Sequence, residues 1–302
     1  MNLKKKKFLK MAEINSLPSL SYRGILFGKR RSLLLWITTI TIICGALIGL
    51  NPESLINENS FKLATEFFKA STSPAFDYEK PVNGADPFLK TVFESVLSTF
   101  KFAVLAMSFS IPLGAFLAFF STTAWWPEKL NHKPYKLFLR TLHIISRSWI
   151  AFARSIHELI WGIIFITAMG LSTEAAITAV TIPFSGILAK LYAEIFEEHT
   201  KEVQTMFRSI GAGFFGSFIF GIVPVAIPDL VSYTFYRLEC ALRTAAVFGF
   251  VGIETIGYRI KLSSDEFHYH EVWTYLYALF LTVALIEWWG AKIRKTLNAN
   301  LN

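Results

Sequence analysis

Seven ionisable residues lie within or at the edges of long apolar runs, where a charge is costly. They are Arg154, Glu158, Lys190, Glu194, Arg237, Glu239 and Arg243. An ionisable group inside a membrane marks a functional or a paired site. Arg154 and Glu158, Lys190 and Glu194, and Glu239 and Arg243 are each four residues apart, so a helix would put each pair on one face. Mutual pairing lowers the cost of burial and is the simplest reading of these six. Arg237 has no acid four residues on, and Glu239 falls on another face. A guanidinium matches the oxygens of a phosphate-like anion, which makes Arg237 a candidate for the path of an anion, with Arg154, Glu158, Glu239 and Arg243 beside it. Snorkelling or pairing between helices are the competing readings of Arg237.

A second group does mechanical rather than covalent chemistry. Between Thr200 and Pro228 a short polar helix, expected over 200–216, carries Gly211 and is followed by Pro224 and Pro228. Glycine permits a close backbone approach or a non-helical bend. The prolines are expected to break the helix and redirect the chain into the next span. The stretch reads as a docking element, although two turn prolines would also suit an ordinary hairpin.

Other constellations carry less. The segment Ile253–Glu271 holds His268, His270, Asp265, Glu266 and Glu271, but no spacing matches a metal site, and a solvated loop is expected. Neither H-E-x-x-H nor G-x-S-x-G occurs. Gly216 and Gly221 have the glycine spacing of a phosphate loop, yet Ile222 and Val223 stand where Lys and Ser/Thr are needed. Cys44 and Cys240 fall in apolar runs and imply neither a metal site nor a disulfide. We therefore expect no catalytic residue, metal or cofactor. Any ATP chemistry must come from another subunit.

The elements that position these residues are membrane spans. Of 302 residues, 53% are hydrophobic, 16% aromatic and only 17% charged, against roughly a quarter charged in soluble domains. A spanning helix needs about 20 mostly apolar residues. Leu33–Leu50, Phe102–Phe120 (begun by the amphipathic stretch from Pro87), Trp149–Leu171, Ala175–Tyr192, Leu230–Gly252 and Val272–Gly290 qualify. The expected fold is an all-α membrane protein of about six spans.

Charge orients them. Lys4, Lys5, Lys6, Lys7, Lys10, Arg23, Lys29, Arg30 and Arg31 face one acid in the first 32 residues, which equals the whole net charge of +8. Cytoplasmic segments collect Lys and Arg, so both termini are expected inside. The inner segments then hold 19 basic residues and the outer ones five. This tail sets topology and touches anionic lipid; a nucleic-acid partner is not expected. Residues 1–32 read as a tail and 33–50 as a retained anchor rather than a cleaved signal, since no small-residue cleavage site follows. Gly45 and Gly49 form a G-x-x-x-G pair in that anchor. Residues 51–87 make an acidic outer loop, 88–295 the transmembrane domain and 296–302 a C-terminal tail.

The segment Thr205–Pro228 resembles the cytoplasmic coupling motif of type I ABC importer membrane subunits. Gly211, Pro224 and Pro228 keep that motif's spacing, while Thr205-Met206-Phe207 stands where Glu-Ala-Ala is usual. Arg154-Ser155-Ile156-His157-Glu158-Leu159-Ile160-Trp161 resembles the Arg-Ser-Ile-Pro-Glu-Leu-x-Trp element of phosphonate importer permeases, with His157 in place of Pro. The run Tyr233 to Glu239 with Arg243, then Val247 to Gly252, is similar to the same family's fifth span. Glu254 and Thr255 replace glycines there, and Gly257 remains. The likeness covers about Thr91 to Lys295.

That resemblance implies five core spans behind one N-terminal helix, in the plasma (inner) membrane of a bacterium. It implies a second permease copy forming a homodimer, two ATP-binding cassette ATPase subunits docked on the coupling helix at Thr205, Met206, Phe207, Gly211 and Ala212, and an external phosphonate-binding protein. The cargo would be a phosphonate or a related phosphorus oxyanion such as phosphite or a phosphate ester. Two rivals stay open on the residues alone. A stand-alone ion-coupled carrier or channel would show inverted repeats or broken midplane helices, and none is legible. An assembly subunit would tolerate loss of Gly211. A gene neighbourhood encoding an ATPase and a binding protein would separate these readings.

Overall fold

The computed structural model describes residues 22–49, 58–80, 84, 86–126 and 133–299, and all the regular structure in them is helical. The tail lysines Lys4 to Lys10 lie outside the described residues, as do the side chains of Arg23, Lys29 and Arg30. The chain divides into two units, Met1–Thr65 and Glu66–Asn302.

The first unit contains helix α1, Tyr22–Ile48. Its apolar residues, among them Leu34, Trp36 and Leu47, are exposed. Gly49 lies outside the helix at φ +74° and donates its N–H to Ala46 O. The expected G-x-x-x-G face therefore loses its second glycine to the helix terminus. Helix α2, Glu58–Ala70, begins in this unit, where a featureless loop was expected.

The second unit is built around three long helices. These are α3, Phe88–Ser121; α6, Thr173–Ser209; and α8, Val223–Gly249. α3 presents small residues to α6: Ala103, Ala106, Ser110, Gly114 and Ala118 are buried. A Cβ on Gly114 would meet Leu188 Cβ at 2.8 Å and Ser185 O at 3.2 Å. Small residues let helix backbones approach where lipid offers no hydrophobic drive. Phe184, Leu188, Leu242 and Phe248 fill the space between the three helices.

Helices α4, Lys133–Ser155, and α5, Glu158–Met169, correct one expectation. Trp149–Leu171 is not a single helix, because the chain turns by 88° between Ser155 and Glu158. His157 is extended and caps α5, its Nδ1 accepting from Leu159 N–H at 3.3 Å. Trp161 Nε1–H closes the corner on Ala153 O at 3.3 Å. Gly162 leaves room for the Phe248 ring, which a Cβ would meet at 2.5 Å. The motif from Arg154 to Trp161 is thus a helix corner. Among the described residues, five helices are long and apolar enough to cross a membrane, or six if this bent pair counts as one span.

After α6 come a turn, the short helix α7 (Phe214–Ser217) and a π-helical turn over Phe218–Ile222 that leads into α8. At the other end of the bundle stand α9, Ile256–Asp265, and α10, Tyr269–Ala299. A satellite core of Phe88, Val92, Ile256, Val272 and Tyr275 joins them to the start of α3.

Candidate functional site

The first candidate region is the end where α6 gives way to α8. The separate helix expected over 200–216 is absent, since α6 continues unbroken to Ser209. Thr200–Ser209 are its last turns. The helix stops in a Schellman arrangement, with Gly211 at φ +83° and Ala212 N–H donating to Phe207 O at 3.0 Å. Only glycine adopts that left-handed backbone without strain, and the turn satisfies a carbonyl the helix end would orphan. A Cβ on Gly211 would meet nothing within 4 Å. Gly211 therefore sets the bend and is not a close-approach position.

The prolines also act differently from expectation. Pro224 lies in the first turn of α8 and Pro228 within it, and neither breaks the helix. Proline lacks the N–H that would bond back to the carbonyl four residues earlier. The helix answers by widening, and Val223 N–H reaches Phe218 O, five residues back.

The docking residues sort themselves by face. Met206 and Ile210 are 70% and 77% exposed, and Phe215 and Phe220 are exposed with them. Thr205 is also exposed. Phe207 turns inward, because with Val203 it covers Gly221, whose absent Cβ makes the room. Ala212 is half-buried.

What ties this end together was not legible in the sequence. Glu197 accepts from Arg147 Nη2 at 3.1 and 3.3 Å and from Thr123 N–H at 3.1 Å. Gln204 donates to Ala124 O. His199 Nε2 stands 3.0 Å from Asp229 Oδ2. One helix end is thereby fastened to α4, to the chain after α3, and to α8. Each bond joins residues 30 to 80 positions apart, and no local pattern announces such a pair. Only the surplus of acids on 194–202 was a visible signal.

The second candidate region is the open face of α8. Tyr233, Tyr236, Arg243 and Val247 recur at helical spacing and are exposed. Glu239 accepts from Arg243 Nη2 at 2.9 Å, the i, i+4 pair the spacing implied. Arg237 makes no ion pair among the described residues. Its guanidinium lies 5.7 Å from the Tyr236 ring, and its buried Nε has no hydrogen-bond partner there. Lys190 and Glu194 also pair, at 3.5 Å.

Arg154 and Glu158 do not pair, because the 88° corner falls between them. Glu158, in the first turn of α5, accepts from Thr244 Oγ1 at 3.2 Å and so joins the corner to α8. Arg154 is exposed on the far side of the corner and has no ion pair among the described residues. The corner thus places Glu158 against Thr244 of α8 and leaves Arg154 on the other side of the bend.

The outer histidine and acid cluster is not a solvated loop. His268 and Glu271 are buried at 7% and 4% exposure. Glu271 accepts from Ser263 Oγ at 2.8 Å and from Glu79 N–H at 2.9 Å, and it lies 3.6 Å from His268 Nδ1. Glu79 in turn accepts from the N–H groups of His270 and Glu271, which caps α10. A strap of residues 66–80 is stapled to α10 by further bonds, including Trp273 Nε1 to Phe67 O at 2.7 Å and Tyr277 Oη to Ser71 O at 2.9 Å.

No protein-family model matches the chain. It is 29% identical over 242 residues to the putative phosphite transport system permease protein HtxE of Stutzerimonas stutzeri, covering 80% of this chain and 86% of that one. It is 30% identical over 152 residues to the phosphate-import permease protein PhnE of Mycolicibacterium smegmatis, half of this chain and 29% of that one. It is 29% identical over 117 residues to the putative cryptic phosphonate transport system permease protein PhnE2 of Escherichia coli K12, covering 39% of this chain and 96% of that one. Among solved structures it shares the fold of the MetNI methionine ABC transporter in its inward-facing form. That match has a TM-score of 0.56 and 20% identity over 70% of this chain and 98% of the other. An amino acid ABC transporter matches at the same TM-score, with 15% identity over 69% of this chain and 95% of that one.

Proposed function

We infer that this chain, an ABC-transporter permease by fold and by homology, is the membrane subunit of an ATP-driven importer for phosphite, phosphonate or a related phosphorus oxyanion. The long alignment with a phosphite transport permease carries the choice of cargo. The geometry supports the machine. The exposed apolar tip of Met206, Ile210 and Phe215 stands on a helix end bonded to three other parts of the bundle. A partner gripping that tip can pass a rigid-body movement to all of them.

In this reading two ATPase subunits dock on the turns around Gly211, one on each of two permease copies. A binding protein delivers the anion on the α9–α10 side. The open face of α8, with Arg237, Glu239 and Arg243, lines the route. Both termini and the α6 turn face the cytoplasm, in the plasma membrane of a bacterium. The permease itself hydrolyses nothing; hydrolysis belongs to the ATPase.

Reconstitution in liposomes with the neighbouring ATPase and binding protein tests this. ATPase activity stimulated by binding protein loaded with phosphite or 2-aminoethylphosphonate is the expected result. Stimulation by another solute alone would keep the machine and change the cargo. If no ATPase subunit binds, the coupling assignment falls.

A further inference from the structure

A cavity of about 180 Å³ opens between α4, α6 and the Ser121 end of α3. Three cations line it, Arg147, Arg154 and Lys190, against one carboxylate, Glu194. It lies outside the open face of α8 and shares no residue with it.

The cavity is built rather than accidental. Gly186 lets α4 lie close on α6, for a Cβ there would meet Ala153 Cβ at 3.1 Å, Arg154 Cγ at 3.3 Å and Ile150 O at 3.4 Å. That crossing lays the Arg154 stem beside α6, one turn from Lys190. Arg147 is held from behind: its Nε donates to Ser121 O at 3.1 Å and its Nη2 to Glu197. Those bonds fix the plane of the guanidinium and leave Nη1 outside both. Arg154 has no ion pair among the described residues.

The row of charge extends beyond the cavity. Lys136, Arg140, Arg147 and Arg154 are spaced by four, seven and seven residues, which places all four on one side of α4. Leu137, Phe138, Ile144, Ile145 and Phe152 form an exposed apolar side next to it. Trp125 and Trp126 follow Ser121 by a few residues, and such rings settle at the membrane–water boundary. The cavity thus lies near the Trp125–Trp126 pair, between an exposed apolar side of α4 and the bundle.

We propose that this cavity binds one phosphorus oxyanion, held by Arg147, Arg154 and Lys190. One guanidinium held in place, one free and an ammonium together suit a multiply charged phosphorus oxyanion. Two sources share that chemistry: the phosphate of an anionic lipid, and the free transported anion. The second source rests on the functional reading above; the first does not.

The test uses the assembled transporter and reads binding directly. Native mass spectrometry of the complex from phosphatidylglycerol nanodiscs reports retained lipid. Calorimetric titration of phosphite into complex held in phosphatidylcholine nanodiscs, without the binding protein, reports the free anion. Arg154→Gln with Lys190→Gln should weaken one of these by about tenfold or more, the scale of a lost charge-assisted contact. Arg140→Gln, on the same side of α4 but outside the cavity, should change it less than twofold.

Loss of retained phosphatidylglycerol assigns the lipid source, and loss of phosphite binding the transported one. If neither binding differs between the parent and the double variant, the proposal is overturned. Arg154→Gln alone removes an exposed, unpaired charge and keeps most of its stem. It therefore reads the same outcome should the double variant fail to assemble. Failure of the importer reading would show instead as absent ATPase stimulation, with cavity binding unaffected.

Discussion

The two ends of the bundle solve opposite problems. At the α9–α10 end the chain closes on itself: a strap of residues 66–80 satisfies the start of α10, and the Glu271 carboxylate is buried among Ser263, His268 and the Glu79 N–H. At the α6–α8 end the flanks are bonded but the tip is bare, with Met206 and Ile210 turned outward. Buried polar groups demand partners from the same chain, whereas exposed apolar groups at a helix turn are satisfied by another molecule. The first end reads as nearly finished, with His268 Nε2 and Thr255 Oγ1 its buried atoms lacking a partner among the described residues, and the second as waiting for a subunit.

The sharpest way to break that contrast is Gly211→Trp. A side chain at φ +83° costs about 1–2 kcal/mol in backbone strain, and the bulk falls on the bare tip. The variant should insert normally while ligand-stimulated ATPase and uptake drop to background. Normal values for both would show that the tip is not waiting for anything.

The nearly finished end predicts a stability defect rather than a coupling defect. While His268 keeps Glu266 at 3.4 Å, Glu271→Ala leaves the Ser263 hydroxyl and the Glu79 N–H without their shared acceptor. About 3 kcal/mol of stability should go with it, read as a lower thermal midpoint of the purified complex, with the coupling ratio of surviving protein unchanged. An unchanged midpoint would mean that the network contributes nothing.

Between the ends, α8 carries the half-buried Arg237. Arg237→Gln should slow uptake by about tenfold, one lost charge-assisted contact worth roughly 1.4 kcal/mol, at normal expression. Unaltered uptake kinetics would make the residue structural.

The smallest effect is expected at the corner. His157 already has φ −65°, the value proline imposes. His157→Pro exchanges a side-chain cap for a stiffer unfolded chain and should shift stability by less than about 1 kcal/mol. A loss of several kcal/mol would show that the Nδ1 cap, and not the backbone shape, holds α4 against α5.

Much of this was legible because lipid imposes a length and a polarity on every span. The apolar runs of α3, α6, α8 and α10 announced themselves, and Gly211 announced a turn. The corner at His157 did not, because the residues from Trp149 to Leu171 average to an apolar run whichever way the chain bends. The docking helix expected over 200–216 is too long and too separate, since no glycine or proline interrupts α6 between Gly186 and Ser209. The pairings of Glu79 with α10 and of Arg147 with Glu197 were invisible for a different reason. Hydropathy records what a residue avoids, and these bonds depend on which distant segment arrives beside it.

The widened turn at Phe218–Ile222 has a last consequence. With no amide hydrogen at Pro224 or Pro228, the carbonyls of Phe220 and Pro224 lose their regular i+4 donors, so two rungs of the backbone ladder are missing just past the bare tip. Bending stiffness in a helix comes from those rungs. α8 is therefore compliant at its base and stiff beyond Leu230, like a fishing rod held by a soft joint. A push on the tip would swing the upper rod as one piece, and isotope exchange at Gly221 and Ile222 should outpace that of amides farther up the same helix.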